Sequence, residues 1–239
     1  MNDLLKGELR YEGKGKALYA TEIAGELIQV FKDDATAFDG KKHDVISDKG
    51  ELNCAISSWF FEKLQNAGVK THYLKREGSV EMRIKELEMM PVEVVVRNVA
   101  AGSICRRLGL EEGMVLDRPL TELFYKDDAL GDPMINTEHC ELFGWAKADD
   151  IRAMRQLARD VNKVLSSLLE NVGIRLIDFK LEFGLLNGEI VLGDEVTPDG
   201  CRLWDIETGR KLDKDVFRQD LGGLSEVYHE VAKRLGIDI

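Results

Sequence analysis

The clearest pattern in the chain is an alternation of charged and apolar residues between positions 178 and 183. Asp178, Lys180 and Glu182 are separated by single aromatic or aliphatic residues. Because successive side chains of a strand point to opposite faces, this spacing predicts a strand with one charged face and one buried apolar face. A turn signal follows at Asn187-Gly188, and the apolar run 190–192 then predicts a second, antiparallel strand.

The loop of this hairpin determines which residues share a face. A two-residue loop at Asn187-Gly188 would pair Leu181 with Asp194 and send Asp194 to the apolar side. A three-residue loop, Leu186-Asn187-Gly188, with a left-handed glycine and a bulge after it, would instead pair Lys180 with Asp194. A slip of one residue turns every side chain to the other face. Since only the second register brings the charged residues together, we predict the three-residue loop.

Hydrophobic periodicity predicts the remaining elements. Strands are expected at 17–21, 27–31, 82–87 and 92–97, the last of them following Pro91. Helices are expected at 52–64, 100–108, 149–170 and 213–235, and Gly222-Gly223 is a potential break in the last one. The predicted strands come early in the chain, and the later helices surround a hairpin. This order predicts an α+β fold with two lobes. The N-terminal lobe (1–89) would be smaller and β-rich, and the second lobe (90–239) would be larger and mixed.

Composition narrows the class of protein. With 239 residues and 44% hydrophobic content, the chain can build a sizeable core. A net charge of -11 argues against nucleic acid as a partner, because a polyanion would be repelled at long range. Four scattered cysteines without a Cys-x-x-Cys pair argue against structural zinc. We find no signal peptide and no apolar run long enough for a membrane span, so a cytoplasmic protein is expected.

Two segments suggest phosphate chemistry. The carboxylates of Glu182 and Asp194, converging with Lys180 across a short hairpin, resemble a Mg²⁺ and polyphosphate site, because Mg²⁺ prefers carboxylate and phosphate oxygens. The run Gly13-Lys14-Gly15-Lys16 combines close backbone approach with two positive charges. It is not a Walker A loop, and a solvated hairpin turn explains it equally well.

Two further segments are candidate anion sites. The run from Arg97 to Ser103 leads from a strand into a helix, where small residues and free N–H groups can hold an anion. The alternative is a tightly packed corner in which Arg97 pairs with a nearby acid. The Pro198-Asp199-Gly200 turn is followed by Arg202, and both Asp199 and Arg202 would lie beside the acidic cluster.

Taken in order, these segments resemble the phosphoribosylaminoimidazole-succinocarboxamide synthases, or SAICAR synthetases, over essentially the whole chain. That family implies a fold related to the nucleotide-binding lobes of protein kinases and ATP-grasp proteins, and commonly a homodimer. It also implies a reaction in which ATP, L-aspartate and carboxyaminoimidazole ribotide (CAIR) give SAICAR, ADP and phosphate. The motifs that carry the resemblance are Tyr11–Lys16, Val94–Asn98, Ala101–Ser103, Asp178–Gly184, Gly193–Glu195, Pro198–Gly200 and Phe217–Gln219.

The resemblance implies a role for each matching residue. Lys180 and Asp178 are the expected catalytic residues, and Lys180 would bridge the ATP phosphate and the reacting carboxylate. Mg²⁺ would be held by Glu182 and Asp194. The expected nucleotide-binding residues are Gly13, Lys14, Gly15, Lys16, Lys85, Glu88 and Met89. The expected substrate-binding residues are Asp39, Arg97, Ser103, Asp199 and Arg202 for the ribotide, with Lys126 and Arg218 for L-aspartate.

Two other readings share some of these features. A kinase-like small-molecule phosphotransferase would have the same glycine loop and metal-binding acids. It should also carry His-Arg-Asp and Asp-Phe-Gly, and neither occurs in the sequence, where Asp178-Phe179 is followed by Lys180. A nucleotide-sensing module without turnover would bind ATP and release no ADP.

Overall fold

The computed structural model describes residues 6–37 and 42–239 of the chain. Its strands are β1 (Leu9–Glu12), β2 (Lys16–Ala20), β3 (Glu26–Phe31), β4 (Asp34–Ala37), β5 (Lys42–Val45), β6 (Tyr73–Arg76), β7 (Glu81–Lys85), β8 (Glu88–Val99), β9 (Val115–Tyr125), β10 (Met134–Ile135), β11 (Ile174–Leu186), β12 (Glu189–Leu192) and β13 (Cys201–Asp205). Its α-helices are α1 (Lys49–Asn66), α2 (Ser103–Leu108), α3 (Thr137–Leu142), α4 (Ala148–Glu170), α5 (Asp215–Arg218) and α6 (Leu224–Arg234).

The first sheet is antiparallel and has the order β1-β2-β3-β7-β6. Its predicted strands at 17–21, 27–31 and 82–87 are confirmed to within two residues. α1 covers one face of this sheet with buried residues such as Leu52 and Ile56, and the ring of Phe61 stacks on that of Tyr73 at 5.7 Å between centroids. Burial of these apolar side chains therefore stabilises the packing of α1 on the sheet.

The second sheet has the order β10-β9-β8-β11-β12, and β13 pairs with the first half of β11. β11 is its central strand, and Phe179, Leu181 and Phe183 are buried with at most 1% exposure, as their alternation predicts. α4 packs on this apolar face through residues such as Val161 and Leu165. The charged residues of β11 are left on the other face, towards the first sheet.

The strand predicted at 92–97 begins earlier, at Glu88, and runs straight through Pro91. A proline removes one ladder hydrogen bond and is tolerated in a sheet at a bulge. That is its position here, because the pairing of β8 with β11 shifts register between Glu182 and Gly184. The predicted strand begins too late because the proline indicates a strand boundary.

The predicted three-residue hairpin loop is wrong. Leu186 pairs with Glu189, so the loop has two residues, and both Asn187 (φ 53°) and Gly188 (φ 81°) are left-handed. Positive φ at both positions is the turn geometry that matches the right-handed twist of the flanking strands, which is why Asn-Gly favours it. The ladder ends at Leu192, so it does not dictate where the side chain of Asp194 points.

The predicted helices all form, with shifted ends. α1 begins at Lys49, three residues before the prediction, whereas α2 begins at Ser103, three residues after it. The last predicted helix is two helices, α5 and α6, separated by Gly222 (φ 74°) and Gly223 (φ 67°). Two consecutive glycines in the left-handed region are incompatible with a continuous right-handed helix.

The fold is a two-lobed α+β arrangement in which the sheets meet at β12. The N–H group of His72 donates to the carbonyl of Leu192 at 2.9 Å, and that of Leu192 donates to the carbonyl of Lys70 at 3.1 Å. The first sheet uses strands up to Lys85 and the second uses strands from Glu88 onwards. The domain boundary at residue 89 stays a prediction. Among the described residues, no helix is both long and apolar enough to span a membrane.

Candidate active site

Three adjoining cavities lie where the two sheets meet. The first, called the apolar cavity, is lined by residues such as Leu18, Leu27 and Ile84 and has a volume of about 400 Å³. The second, the lysine cavity, is lined by Lys14, Lys16 and Lys180 among others and has a volume of about 200 Å³. The third, the arginine cavity, is lined by Arg97, Arg202 and Arg218 among others and has a volume of about 290 Å³. Lys16, Lys126, Glu182 and Asp194 line both the apolar and the lysine cavities. Glu93, Asp132 and Lys180 line both the lysine and the arginine cavities. The three cavities therefore form a continuous series with charged residues at each junction.

The glycine run forms the hairpin loop between β1 and β2 and also lines the lysine cavity. The N–H group of Gly13 donates to the carbonyl of Lys16 at 2.9 Å, which closes the turn. A Cβ on Gly13 would lie 2.8 Å from the hydroxyl of Tyr11, whereas Gly15 has open space around it. Lys14 Nζ lies 3.0 Å from Asp128 across the cavity. The two readings of this run are thus compatible: it is a hairpin turn, and it lies over a charged cavity.

Lys180 lies at the centre of a cluster of lysines and carboxylates. Its Nζ is 2.7 Å from Glu182 Oε1, 3.0 Å from Glu93 Oε1 and 3.9 Å from Asp194 Oδ2. Burial opposes a charged ammonium here, but the carboxylates of Glu182 and Glu93 outweigh it and raise the pKa of Lys180. Lys180 therefore stays positively charged throughout the ordinary range of pH.

Glu182 is 2% exposed and is surrounded by positive charge. Burial favours its neutral form, yet Lys180, Lys126 and Lys16 together lower the pKa of Glu182 to about 2. The lysine cavity thus holds a carboxylate that stays ionised and several ammonium groups that it partly neutralises. An incoming polyphosphate would find three lysines already oriented by acids.

Asp194 joins this cluster although its register is not the predicted one. Its backbone is left-handed, with φ of 60°, directly after the ladder ends at Leu192. Its side chain forms an ion pair with Lys16 and lines the lysine cavity beside Glu182. The predicted neighbourhood of Asp194 is therefore confirmed, and a backbone turn rather than strand pairing produces it.

Paired arginines and acids build the arginine cavity. Arg97 is 3% exposed, and its Nη1 lies 2.6 Å from Asp178 Oδ2 while its Nε lies 2.6 Å from Glu122 Oε2. Arg202 Nη1 lies 3.0 Å from the same oxygen of Asp178, and Arg202 Nε lies 2.9 Å from Asp215. Both readings of Arg97 hold, because it is paired to local acids and it lines the cavity.

Asp199 closes the far end of the arginine cavity. Its carboxylate lies 2.7 Å from the buried ammonium of Lys49 and 3.7 Å from that of Lys214, and it accepts a hydrogen bond from Tyr228 at 2.5 Å. Burial favours the neutral acid, but Lys214 and Lys49 outweigh it and lower the pKa of Asp199. A fixed negative charge therefore faces the cavity opposite the arginines.

The remaining predicted residues are placed as follows. Lys85 and Met89 line the apolar cavity, while Glu88 lines a neighbouring one with Trp145. Lys126 forms an ion pair with Glu182, and Arg218 Nη1 lies 2.6 Å from Asp215. The hydroxyl of Ser103 accepts a hydrogen bond from Arg97 Nη2 at 3.0 Å. Asp39 lies outside the described residues, and the roles of all these residues stay predictions.

The residues that the structure brings into the cavities and that the sequence did not predict include Glu93, Asp132, His72 and Gln29. Glu93 could have been found, because it alternates with the buried valines of β8 and shares a face with Arg97. Gln29 lies in an otherwise apolar strand, which is a weak signal. Asp132 and His72 have no sequence pattern that points to the site.

The carboxylates and lysines of the lysine cavity are compatible with a metal ion that is bound to a nucleotide. Among residues 6–37 and 42–239, no three His, Cys, Asp or Glu side chains cluster as an all-protein metal cage. Mg²⁺ on a nucleotide does not need one, because it takes one or two carboxylates and completes its shell with phosphate oxygens and water. Glu182 and Asp194 supply two carboxylates on the wall of one cavity, beside lysines that suit phosphates.

Comparison with known proteins gives a consistent result. The sequence model of the family described as SAICAR synthetase matches residues 9–235. The phosphoribosylaminoimidazole-succinocarboxamide synthase of Marinomonas sp. (strain MWYL1) is 53% identical over 228 residues, which is 95% of this chain and 96% of the relative. Two solved structures have closely similar folds. That of the Ehrlichia chaffeensis synthase has a TM-score of 0.94, 43% identity and coverage of 97% of this chain and 100% of that one. A SAICAR synthetase in complex with ADP has a TM-score of 0.92, 48% identity and coverage of 95% and 97%.

Proposed function

The chain belongs to the SAICAR synthetase family, and we propose that it is the ATP-dependent carbon-nitrogen ligase that joins L-aspartate to the carboxylate of CAIR. The products are SAICAR, ADP and phosphate, in purine biosynthesis. The observation that supports this assignment best is the series of three cavities. Each has a different chemical character, and Lys180 and Glu182 lie at the junctions between them.

The nucleotide occupies the apolar and lysine cavities. A purine base suits the apolar cavity, whose wall includes Leu18, Leu27 and Ile84. Its phosphates would then reach the lysine cavity, where Lys14 and Lys16 on the glycine hairpin neutralise them. The relative solved with ADP, 48% identical to this chain, supports the same nucleotide here.

Glu182 and Asp194 would hold Mg²⁺ on the nucleotide phosphates. When bound, the ion screens phosphate charge and polarises the group to be transferred. The protein's own contribution is to keep the carboxylate of Glu182 ionised. Lys180, Lys126 and Lys16 do this for Glu182 by lowering its pKa to about 2. The same lysines remain available to the phosphates.

The ribotide occupies the arginine cavity. Arg202 is held in place by Asp178 and Asp215, and Arg97 is held by Asp178 and Glu122. Fixed guanidinium groups of this kind bind phosphate and carboxylate oxygens in defined directions. Asp199 at the far end suits hydroxyl or amino groups, which donate hydrogen bonds to it. Arg218, in the wall of the arginine cavity, and Lys126, in the wall of the lysine cavity, are the candidate cations for the carboxylates of L-aspartate.

The chemistry requires activation of an unreactive carboxylate. A carboxylate oxygen of the ribotide attacks the γ-phosphorus of ATP, the bond to ADP breaks, and an acyl phosphate forms. The amine of L-aspartate then attacks the carbonyl carbon, phosphate leaves with the electron pair of the C–O bond, and the amine loses its proton. Lys180 lies between the lysine and arginine cavities, where it neutralises both the transferred phosphoryl group and the reacting carboxylate. The residues thus act by positioning and charge neutralisation.

We also propose a cytoplasmic homodimer. All four cysteines are free thiols, as is usual in a reducing compartment. Leu142 and Phe143 are exposed by 78% and 58%. A second copy of the chain would bury such apolar side chains in a dimer interface. Light scattering coupled to gel filtration tests the dimer, and a monomer at micromolar concentration would contradict it.

Substrate omission tests the reaction itself. The ligase should release ADP only when ATP, L-aspartate and CAIR are all present, or slowly without L-aspartate if the acyl phosphate hydrolyses. A kinase-like phosphotransferase would release ADP with a single acceptor at the full rate, and a binding module would release none. Labelling the CAIR carboxylate with ¹⁸O should place one label in the released phosphate. Unlabelled phosphate would exclude the acyl phosphate.

A further inference from the structure

A polar stripe, made of Lys49, Asn53 and Ser57, runs along the buried face of α1. These residues follow one another at intervals of four, so they lie on one side of the helix. All three are buried, with at most 2% exposure. The face of a helix that packs inside a protein is normally apolar, so a buried polar stripe needs partners in the structure around it.

The partners of this stripe lie in the loop that precedes β13. Asp199 Oδ2 lies 2.7 Å from Lys49 Nζ and accepts a hydrogen bond from Asn53 Nδ2 at 3.2 Å. Ser57 Oγ accepts a hydrogen bond from the N–H group of Val196, also at 3.2 Å. The stripe therefore holds this loop against α1 at two points, and two of its three contacts are with a single carboxylate.

Lys49 is costly at its position unless an acid is beside it. It is the first residue of α1, where the helix dipole opposes a positive charge, and it is 1% exposed. Among residues 6–37 and 42–239, Asp199 is the only carboxylate within 4.0 Å of its ammonium group. The pairing with Asp199 therefore explains why a lysine lies there.

The second oxygen of Asp199 is held from α6. Tyr228 is fully buried, and its hydroxyl donates a hydrogen bond to Asp199 Oδ1 at 2.5 Å. The side chain of Asp199 nevertheless keeps 12% exposure and lines the arginine cavity. Since a carboxylate has about four acceptor positions, Asp199 can still accept a hydrogen bond from a ligand in that cavity.

Building on the proposed function, we propose that Lys49 and Tyr228 are positioning residues for the ribotide. Within the described part of the chain, neither belongs to the lining of the arginine cavity, so both act through Asp199. They fix the direction of its carboxylate from two sides. Burial raises the pKa of Asp199, but Lys214, Lys49 and Tyr228 together lower it below its usual range, so the oriented group is also ionised.

The proposal predicts a defect confined to one substrate. Asp199 lines the arginine cavity and neither of the two cavities for the nucleotide. Lys49→Met should therefore raise the KM for CAIR by about 10-fold, and Tyr228→Phe by about 5-fold, while the KM for ATP stays unchanged. Steady-state ADP release by the full-length protein, with all three substrates present, measures both constants.

A double-mutant cycle tests whether Lys49 acts through Asp199. Asp199→Asn alone should raise the KM for CAIR by about 10-fold or more. Adding Lys49→Met to Asp199→Asn should raise it no further, because the carboxylate that Lys49 orients is already absent. Two full effects that multiply in the double variant would show that Lys49 supports the site only by packing, and would overturn the proposal.

Tyr73→Phe is the matched control for Tyr228→Phe. Tyr73 is also a buried tyrosine, and its hydroxyl donates to the carboxylate of Glu62 at 3.0 Å, away from the ribotide cavity. This control should keep the wild-type KM for CAIR. Thermal unfolding reports whether each variant folds, and Tyr228→Phe, which loses a single oxygen atom, still tests the proposal if Lys49→Met does not fold.

The outcomes separate this inference from the proposed function. A wild-type KM for CAIR in folded Lys49→Met or in Tyr228→Phe would overturn the role of that residue and leave the ligase assignment intact. An equal rise in the KM for ATP would show general damage instead of positioning. A wild-type protein that releases no ADP with ATP, L-aspartate and CAIR would overturn both the inference and the proposed function.

Discussion

Lys180 and Glu182 lie two residues apart on the same face of β11, and Lys180 Nζ lies 2.7 Å from Glu182 Oε1. The strand alternation alone puts them side by side, and each changes the other's ionisation. Glu182 keeps Lys180 protonated, and Lys180 helps to keep Glu182 ionised in spite of burial. This pair joins the cavity for phosphates to the cavity for the ribotide, and it should be central to turnover.

Replacing Lys180 with methionine should lower kcat by about 100-fold or more, because a preorganised positive charge at the transferred group is lost. The fold should survive, since the aliphatic stem is kept and Lys126 still pairs with the buried carboxylate of Glu182. Steady-state ADP release with all three substrates measures the effect. Lys163→Met on α4, which removes a lysine that is 75% exposed, is the matched control. Retention of wild-type kcat by Lys180→Met would contradict its catalytic role.

Replacing Glu182 with glutamine should raise the Mg²⁺ concentration needed for half-maximal turnover by about 10-fold, because an amide is a weaker ligand than a carboxylate. ADP binding in the absence of Mg²⁺ should not weaken, since removal of the acid leaves the lysines free for phosphate. Turnover measured over a Mg²⁺ titration gives the result. Glu189→Gln serves as the control, because Glu189 is exposed and pairs with Lys70 on the surface. If the two variants have the same Mg²⁺ dependence, Glu182 is not a metal ligand.

Replacing Gly102 with alanine should impair the ribotide site through Arg202. A Cβ at Gly102 would lie 2.5 Å from Arg202 Nη2, and its φ of 64° and ψ of -124° suit only glycine. We expect a KM for CAIR raised about 10-fold, with ADP binding unchanged, and a loss of about 1–3 kcal/mol in the free energy of unfolding.

Gly109→Ala separates strain from the displacement of Arg202. Gly109 also has a positive φ, of 65°, but in the part of the chain that the structure describes no atom lies within 4 Å of a Cβ built there. This control should lose stability without a change in the KM for CAIR. Equal KM values for the two variants would show that Arg202 does not contact the ribotide.

Titration of His72 predicts a pH-dependent stability. Its pKa is lowered from 6.5 to about 3 in the folded protein, so between these values the unfolded chain binds a proton that the folded chain does not. Stability should therefore fall as the pH falls, by about 1.4 kcal/mol for each pH unit. His72→Phe removes this contribution. In urea unfolding, the free energy of unfolding of the variant should fall less than that of the wild-type protein as the pH is lowered from about 6.5 to about 4.

The control for this prediction is His229→Phe, which removes an exposed histidine from α6. The difference in unfolding free energy between this control and the wild-type protein should stay constant over the same pH range. A constant difference for His72→Phe as well would mean that its ring is protonated equally in the folded and unfolded chains.

The sequence by itself determined the local elements and the inventory of chemical groups. Alternation in residues 178–183 and helical periodicity in 149–170 depend on neighbours along the chain, so both predictions are confirmed. The glycine hairpin, the charged face of β11 and the motifs shared with the family are equally local. The chain therefore specified its fold class and its family without tertiary information.

Only the tertiary structure decided how these groups meet. Asp194 reaches Lys16 through a single left-handed residue after the hairpin, and the strand pattern carries no signal for that turn. His72 and Gln29 lie on different elements, and their shared cavity exists only because the first sheet closes against β12. Contacts between residues far apart in sequence depend on how the sheets pack, which no periodicity within one segment encodes.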